Sequence, residues 1–368
     1  MAKKTQKGSP MDRVLKAIAY SKPDKVPIIF FPEWDFLADF AGVKVKKFLN
    51  DVALQIETNE RFRNRFPEVY CAVSVYQPYA QAQAYGCPLS DPEDEIPMVA
   101  KNVINTPGEV DSLKVPDPWD APGTRDWLEK IQYQIDSGFE AAGMGDFGPF
   151  EVAGQLYKYD RLIRDMRKHP QIVHTLLEKC NEFIVKFLSE WAKLLGGKAT
   201  VTLIADHISG FMNKRLIEEF FAPYHTKLVE QLKPYSSIMF YHSENRSYHI
   251  IDQIGKWGYN MFHGMEWAPG GDLRKTKEIV SGLGPHRYAL VGQVPGRDIL
   301  LREPSDEIVR QKIIENIQIY APGSGYILST GGGINRGTPI RRLDMMVELV
   351  NQYGRYKTKK VLYKPDEV

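Results

Sequence analysis

The chain has 368 residues, of which 43% are hydrophobic and 26% charged, with a formal net charge of +2. That balance supplies a full core but gives no electrostatic case for nucleic acid, and no apolar run reaches the ~18–20 residues that cross a bilayer. The basic start, Met1 to Gly8, lacks the apolar segment of a signal peptide and reads as a flexible tail. Cys71, Cys87 and Cys180 show no CxxC spacing, which points to a reducing cytoplasm without a disulfide framework.

In chain order, residues 26–31 read as a buried strand and 44–66 as a polar helical region. A short apolar strand is expected over 71–76, an extended excursion over 95–104 and a helix over 122–138. Residues 139–147 read as a strand running into Gly145-Asp146-Phe147-Gly148. A long amphipathic helix spans 170–195, with Pro170 in its first turn. Strand 200–207 ends in Asp206-His207, helices cover 214–234, and strand 237–242 ends in His242-Ser243-Glu244. A helix is expected over 247–257, a strand over 259–265 ending at Glu266, and a helix over 272–282. The last units are strand 288–293 with Gln293, helix 305–320, strand 325–330 opening into Gly331-Gly332-Gly333, and helix 338–353.

Strands alternating with helices at this spacing argue for parallel pairing and right-handed crossovers. About eight units fit a (β/α)8 TIM-type barrel over residues 11–357, with tails at 1–10 and 358–368. Asp146, Asp206, His207, His242, Glu244, Glu266 and Gln293 all fall at strand ends, the face that carries a barrel's active site. An open doubly wound sheet would want a glycine-rich phosphate turn after the first strand, and Phe31-Pro32-Glu33-Trp34 is not one. In an extended strand, positions two apart project together, so His242 and Glu244 pair an imidazole with a carboxylate. Such a pair begins either a metal site or an acid–base site.

Nearly the whole chain, from about Met11 to Tyr356, resembles the uroporphyrinogen decarboxylase superfamily, which includes cobalamin-dependent methyltransferases. The pieces are Arg13 to Ala17 with Pro23-Asp24-Lys25-Val26-Pro27, Ala84-Tyr85-Gly86-Cys87-Pro88, Gly148-Pro149-Phe150-Glu151 and Phe220-Phe221-Ala222-Pro223-Tyr224. Tyr241-His242-Ser243-Glu244-Asn245, Gly292-Gln293-Val294, and Gly325 to Gly333 with Thr338-Pro339 complete the order. The resemblance implies a distorted (β/α)8 barrel. True decarboxylases of this group carry an arginine-rich N-terminal motif that grips tetrapyrrole carboxylates. Here no arginine lies between Arg13 and Arg61, and the corresponding loop, Phe30 to Phe36, is aromatic and acidic. Thiol-methylating members resemble a His-x-Cys followed by a late Cys, holding zinc. In this chain Glu244 stands for the first Cys, and Gly331-Gly332-Gly333 occupies the region of the second.

His242, Glu244 and Glu266 make a reasonable zinc set with an open position, and a harder oxygen-rich site is the stronger Lewis acid. Demethylating an ether needs the leaving oxygen neutralised by metal or proton. The expected activity is therefore methyl transfer from a small methylated substrate, a methoxylated aromatic among the choices, to the Co(I) cobalamin of a separate corrinoid protein. No Asp-x-His-x-x-Gly cobalamin segment occurs in the chain. Asp206 is expected to face the barrel and orient the substrate, with His207 beside it, and Glu244 is open to either a ligand or a general-acid role. Phe31, Trp34 and Phe36, with Gln293, are the expected substrate wall. Gly331-Gly332-Gly333 reads as a flexible loop or as bare backbone approached closely by corrin. A lyase acting on another carboxylated substrate and a catalytically silent binding barrel are the competing readings. Oligomeric state is open, a homodimer included.

Overall fold

The computed structural model describes residues 6–141, 143–244, 247–264 and 273–356. Eight parallel strands follow one another: β1 (Ile29–Phe30), β2 (Tyr70–Cys71), β3 (Gly143–Phe147), β4 (Ala199–Ala205), β5 (Ser236–His242), β6 (Met261–His263), β7 (Ala289–Val294) and β8 (Tyr326–Thr330). β3 to β8 pair in sequence order, and β1 pairs with β2. The ring closes where Leu328 bridges Ile28 and its N–H donates to the Pro27 carbonyl at 2.9 Å. The fold is the (β/α)8 barrel that the alternation predicts.

One wall differs from a regular cylinder. Among the described residues no ladder joins β2 to β3. Side chains of the helix Thr124–Asp136 hold that wall instead: the Val75 N–H donates to Gln134 Oε1 at 3.3 Å, and the Trp127 indole donates to the Val75 carbonyl at 2.9 Å. Gln134 Nε2 in turn donates to the Glu140 carbonyl at 2.6 Å. The expected strand over 71–76 is therefore a two-residue strand followed by chain that pairs with side chains.

Period-two alternation sorts each strand into two rows. Ile29, Val201, Ile238, Phe240, Met261, Val291 and Ile327 fill the barrel interior. Ile204, Met239, Tyr241, Phe262, Leu290 and Leu328 face the helical layer. Burying each of these large side chains stabilises the fold by about 1.5–3 kcal/mol before conformational entropy is counted. The helix Pro170–Leu194 shows the matching 3.6-residue stripe, with Val173, Leu176, Leu177, Cys180, Ile184, Phe187, Leu188 and Trp191 buried.

Several boundaries differ from expectation for local reasons. The first helix begins at Pro10, capped by Ser9 Oγ accepting from the Asp12 N–H at 3.2 Å, so order starts before residue 11. The region 44–66 is broken at Asp51, whose carboxylate accepts from the Leu54 N–H and starts a second helix, Val52–Arg65. The segment 247–257 is one 3-10 turn, Tyr248–Ile250, followed by irregular turns, not a regular helix. Gly255 accounts for its close seating: a Cβ there would stand 1.7 Å from the His286 carbonyl oxygen. Because that obstacle is backbone, Gly255→Ala is expected to cost about 1–3 kcal/mol, read as a lower urea midpoint with an unchanged slope. No helix among the described residues is long and apolar enough to cross a membrane.

Candidate active site

The interior row of each strand, followed to its carboxyl end, gives the residues of the barrel mouth. On β5 the row Ile238, Phe240 continues to His242 and then Glu244. On β4 the row Val201, Leu203, Ala205 continues to His207. Asp206 belongs to the opposite row with Ile204, which corrects its expected inward placement. Its Oδ2 accepts from the Phe150 N–H at 2.9 Å and lies 3.3 Å from His225 Nε2, fully buried behind the barrel wall. His225 Nδ1 is 2.8 Å from the Tyr259 hydroxyl, and the Tyr241 hydroxyl donates to the Asp206 carbonyl at 2.8 Å. Asp206 thus anchors the strand end that presents His207. The His207 ring lies edge-on to His242, 5.2 Å between centroids, and its Nδ1 accepts from the Glu244 N–H at 3.1 Å.

A residue that spacing alone did not single out, His263, completes the centre. It lies in register with His242 on the neighbouring strand, and the two Nδ1 atoms are 2.8 Å apart. His263 Nε2 is 2.9 Å from the Thr330 carbonyl, which can only accept. His263 Nε2 therefore carries the hydrogen. Burial, with the charge of His242 beside it, lowers the His263 pKa to about 3, so the ring is neutral and its Nδ1 accepts. The proton between the rings then belongs to His242 Nδ1. This chain of bonds fixes the orientation of His242 and turns its Nε2 toward Glu244 Oε1, 3.6 Å away. Glu244 ionises readily: burial opposes it, but the His242 bond and charge and the Gly333 N–H, 3.1 Å from Oε1, outweigh burial.

The triglycine has a specific cause. A Cβ on Gly332 would stand 2.8 Å from Glu244 Oε1, and one on Gly333 would stand 1.7 Å from Glu33 Oε1. At both positions the room a side chain would take is filled by a carboxyl group of this chain. Gly331 instead prolongs the β7–β8 pairing, its N–H donating to the Val294 carbonyl at 2.7 Å. Glu33 follows Phe31 by two residues and shares its row. Burial, then the negative charge of Glu244, raises its pKa to about 8, so it holds a proton at neutral pH. Burial also raises Asp146 to about 7, and burial with the nearby charge of Asp206 raises Glu151 to about 7. The Tyr159 hydroxyl donates to Glu151 Oε1.

The aromatic wall is partly as expected. Phe31 stacks on His263 at 4.5 Å and packs 5.5 Å from Phe240. Trp34 stacks on Tyr76 with ring centroids 3.3 Å apart. Phe36 departs from expectation: two residues on in the helix Trp34–Ala41 it turns away, packing against Phe62 at 6.0 Å in the main core. Gln293, the next-to-last residue of β7, has φ +85° and is 1% exposed.

Among the described residues no group of three or more His, Cys, Asp or Glu side chains is placed to hold a metal ion. His242 and Glu244 supply two donors, one short of the three protein ligands of a catalytic zinc centre. The expected third, Glu266, lies outside the described residues.

The sequence profile of the family described as Uroporphyrinogen decarboxylase (URO-D) matches residues 9–353. The uroporphyrinogen decarboxylase of Tolumonas auensis is 23% identical over 362 residues, covering 93% of this chain and 97% of its own length. That of Nitrosococcus oceani is 25% identical over 362 residues, covering 93% and 96%. Among solved structures, a methyltransferase from Methanosarcina mazei superposes with a TM-score of 0.77 at 20% identity, over 94% of this chain and 99% of its own. That likeness establishes the barrel.

Proposed function

Given that the chain belongs to the uroporphyrinogen decarboxylase family, we propose that it is the methyltransferase component of a demethylating system. It takes a methyl group from a small methylated compound, a methoxylated aromatic being the best fit, and passes it to the Co(I) cobalamin of a separate corrinoid protein. One observation carries the choice between decarboxylation and methyl transfer. Glu33 and Glu244 meet at the mouth over Gly332 and Gly333, and neither has a Lys or Arg partner among the described residues. A polycarboxylated porphyrinogen needs cationic forks, and a mouth without them leaves its carboxylates unpaired. An uncharged ether meets no such penalty, and Phe31, Trp34 and Tyr76 offer it apolar surface.

A corrinoid delivered by the partner would supply the nucleophile for the methyl carbon, leaving the electron pair of the broken C–O bond on oxygen. That oxygen needs a proton. Glu33 carries one at neutral pH and is the donor in this reading. Glu244 stays ionised, keeping Glu33 protonated by its charge. The chain His242–His263–Thr330 holds the opposite wall rigid. No step here runs through zinc, because the described donor set stops at two. The zinc expectation is tested separately: near-stoichiometric zinc in the purified protein, lost in the H242A/E244A double variant, would add a Lewis acid to the mechanism.

The second reading, a decarboxylase, draws on the names of the curated relatives. Both are tested in one design. The purified chain is incubated with methoxylated aromatics and Co(I) cobalamin, and separately with uroporphyrinogen. The expected result is a methylcobalamin absorbance change with release of the demethylated phenol, and no carbon dioxide from uroporphyrinogen. Carbon dioxide release without cobalamin would overturn the proposal.

A further inference from the structure

Several buried polar side chains lack a hydrogen-bond partner among the described residues, Gln155, Thr202 and Ser243 included, and two of them are neighbours at the barrel's carboxyl end. Gln293 and Ser329 are register partners on β7 and β8. They are 1% and 0% exposed, and Gln293 Oε1, Gln293 Nε2 and Ser329 Oγ all lack a hydrogen-bond partner among the described residues. An amide buried with neither end satisfied is costly, and native folds keep such groups rarely and for a reason. Gln293 adds a second cost, since φ +85° is a backbone region that residues with a side chain seldom adopt. Both residues also adjoin the histidine pair. Next to Ser329 is Thr330, whose carbonyl holds His263, and next to Gln293 is Gly292, where a Cβ would stand 3.1 Å from the His263 ring.

We propose that Gln293 and Ser329 are specificity-determining residues that read one neutral donor–acceptor group, a hydroxyl or carboxamide, on the methylated substrate. The amide offers an N–H and a carbonyl together, which matches a group that both accepts and donates. A carboxylate is the wrong partner, because Glu244 is ionised at the mouth and no Lys or Arg pairs with it among the described residues. The substrate class is then a methoxylated aromatic that also carries a free hydroxyl. This inference rests on the proposed methyltransferase reading, but its test needs neither turnover nor a corrinoid.

The test is equilibrium binding, followed by tryptophan fluorescence, of 2-methoxyphenol, methoxybenzene and 2-methoxybenzoate to the full chain and to Gln293→Leu. Wild type is expected to bind 2-methoxyphenol at least about tenfold tighter than either other probe, the scale of one well-made hydrogen bond in a buried site. Gln293→Leu should bring the phenol-to-ether ratio near one. Leucine fills similar space without orphaned polar atoms, so the variant should melt at or above the wild-type temperature. Equal binding of all three probes by wild type, binding of none of them, or an unchanged ratio in the variant would overturn the proposal. So would a lower melting temperature with the ratio intact, since Gln293 would then be pairing a structural water. Failure of methyl transfer with the selectivity intact would count against the reaction and leave the recognition standing.

Discussion

Glu33→Gln is expected to lower the rate of methyl transfer by roughly 10²–10⁴-fold, the usual contribution of a positioned proton donor. The substitution keeps the size and position of the side chain and removes only the transferable proton. Wild-type activity should fall as pH rises through about 8, where Glu33 loses its proton, and the residual activity of the variant should lack that limb. Stability gives an independent sign. The pKa of Glu33 is raised by folding, so its favourable contribution is fully present below the ordinary glutamate value of 4.5 and is lost as pH rises through about 8. Glutamine has no charge to bury, so the variant should melt higher than wild type at pH 8.5 and about equal to it at pH 4.5. Each kcal/mol gained corresponds to roughly 1–2 °C in a chain of this size. If activity survives and the alkaline limb persists in the variant, another group supplies the proton.

The second large effect concerns a residue placed to act through its neighbour. His263→Phe retains an aromatic ring against Phe31 and Phe240, so packing changes little. It removes both hydrogen bonds of the relay: His242 Nδ1 loses its acceptor, and the Thr330 carbonyl loses its donor. With the relay gone, His242 can turn and exchange tautomers, and activity should drop by about 10–100-fold, as when a supporting partner of a site histidine is removed. A merely structural role would predict loss of melting temperature in proportion to loss of rate. The relay predicts a rate loss far larger than the few degrees of melting temperature that two lost buried hydrogen bonds cost. In the proton NMR spectrum of wild type, a downfield imidazole N–H that vanishes in both His263→Phe and His242→Ala would identify the shared hydrogen directly.

The barrel and its active face were legible in the chain because two periodicities are strong here. Apolar strand cores alternate with stripes such as Val173 to Trp191, and polar residues cluster where strands end. His242, Glu244 and His207 followed from that pattern. Asp206 was misplaced because adjacent strand residues face opposite sides, and a motif states which residues occur without stating which row they join. His263 escaped notice because its partner lies 21 positions away on another strand, and register is a property of pairing, not spacing. Glu33 was within reach of the same alternation argument that found Glu244, since it lies two residues beyond Phe31. It was passed over as part of an aromatic loop. The triglycine could be seen but not explained until the two carboxyl groups resting on it were placed.

The wall between β2 and β3 bears on access. A backbone ladder resists separation because its bonds are many, evenly spaced and must break together. Here the fastening is side chains, Gln134, Trp127 and Lys130 from one helix with Gln55 from another, gripping Val75, Tyr76, Gln77 and the Glu140 carbonyl. The barrel is a cylinder with a laced seam. Loosening it breaks no strand pair, so the wall beside Tyr76 and Trp34 is where the barrel can give while the six-stranded sheet that carries the histidine relay stays whole.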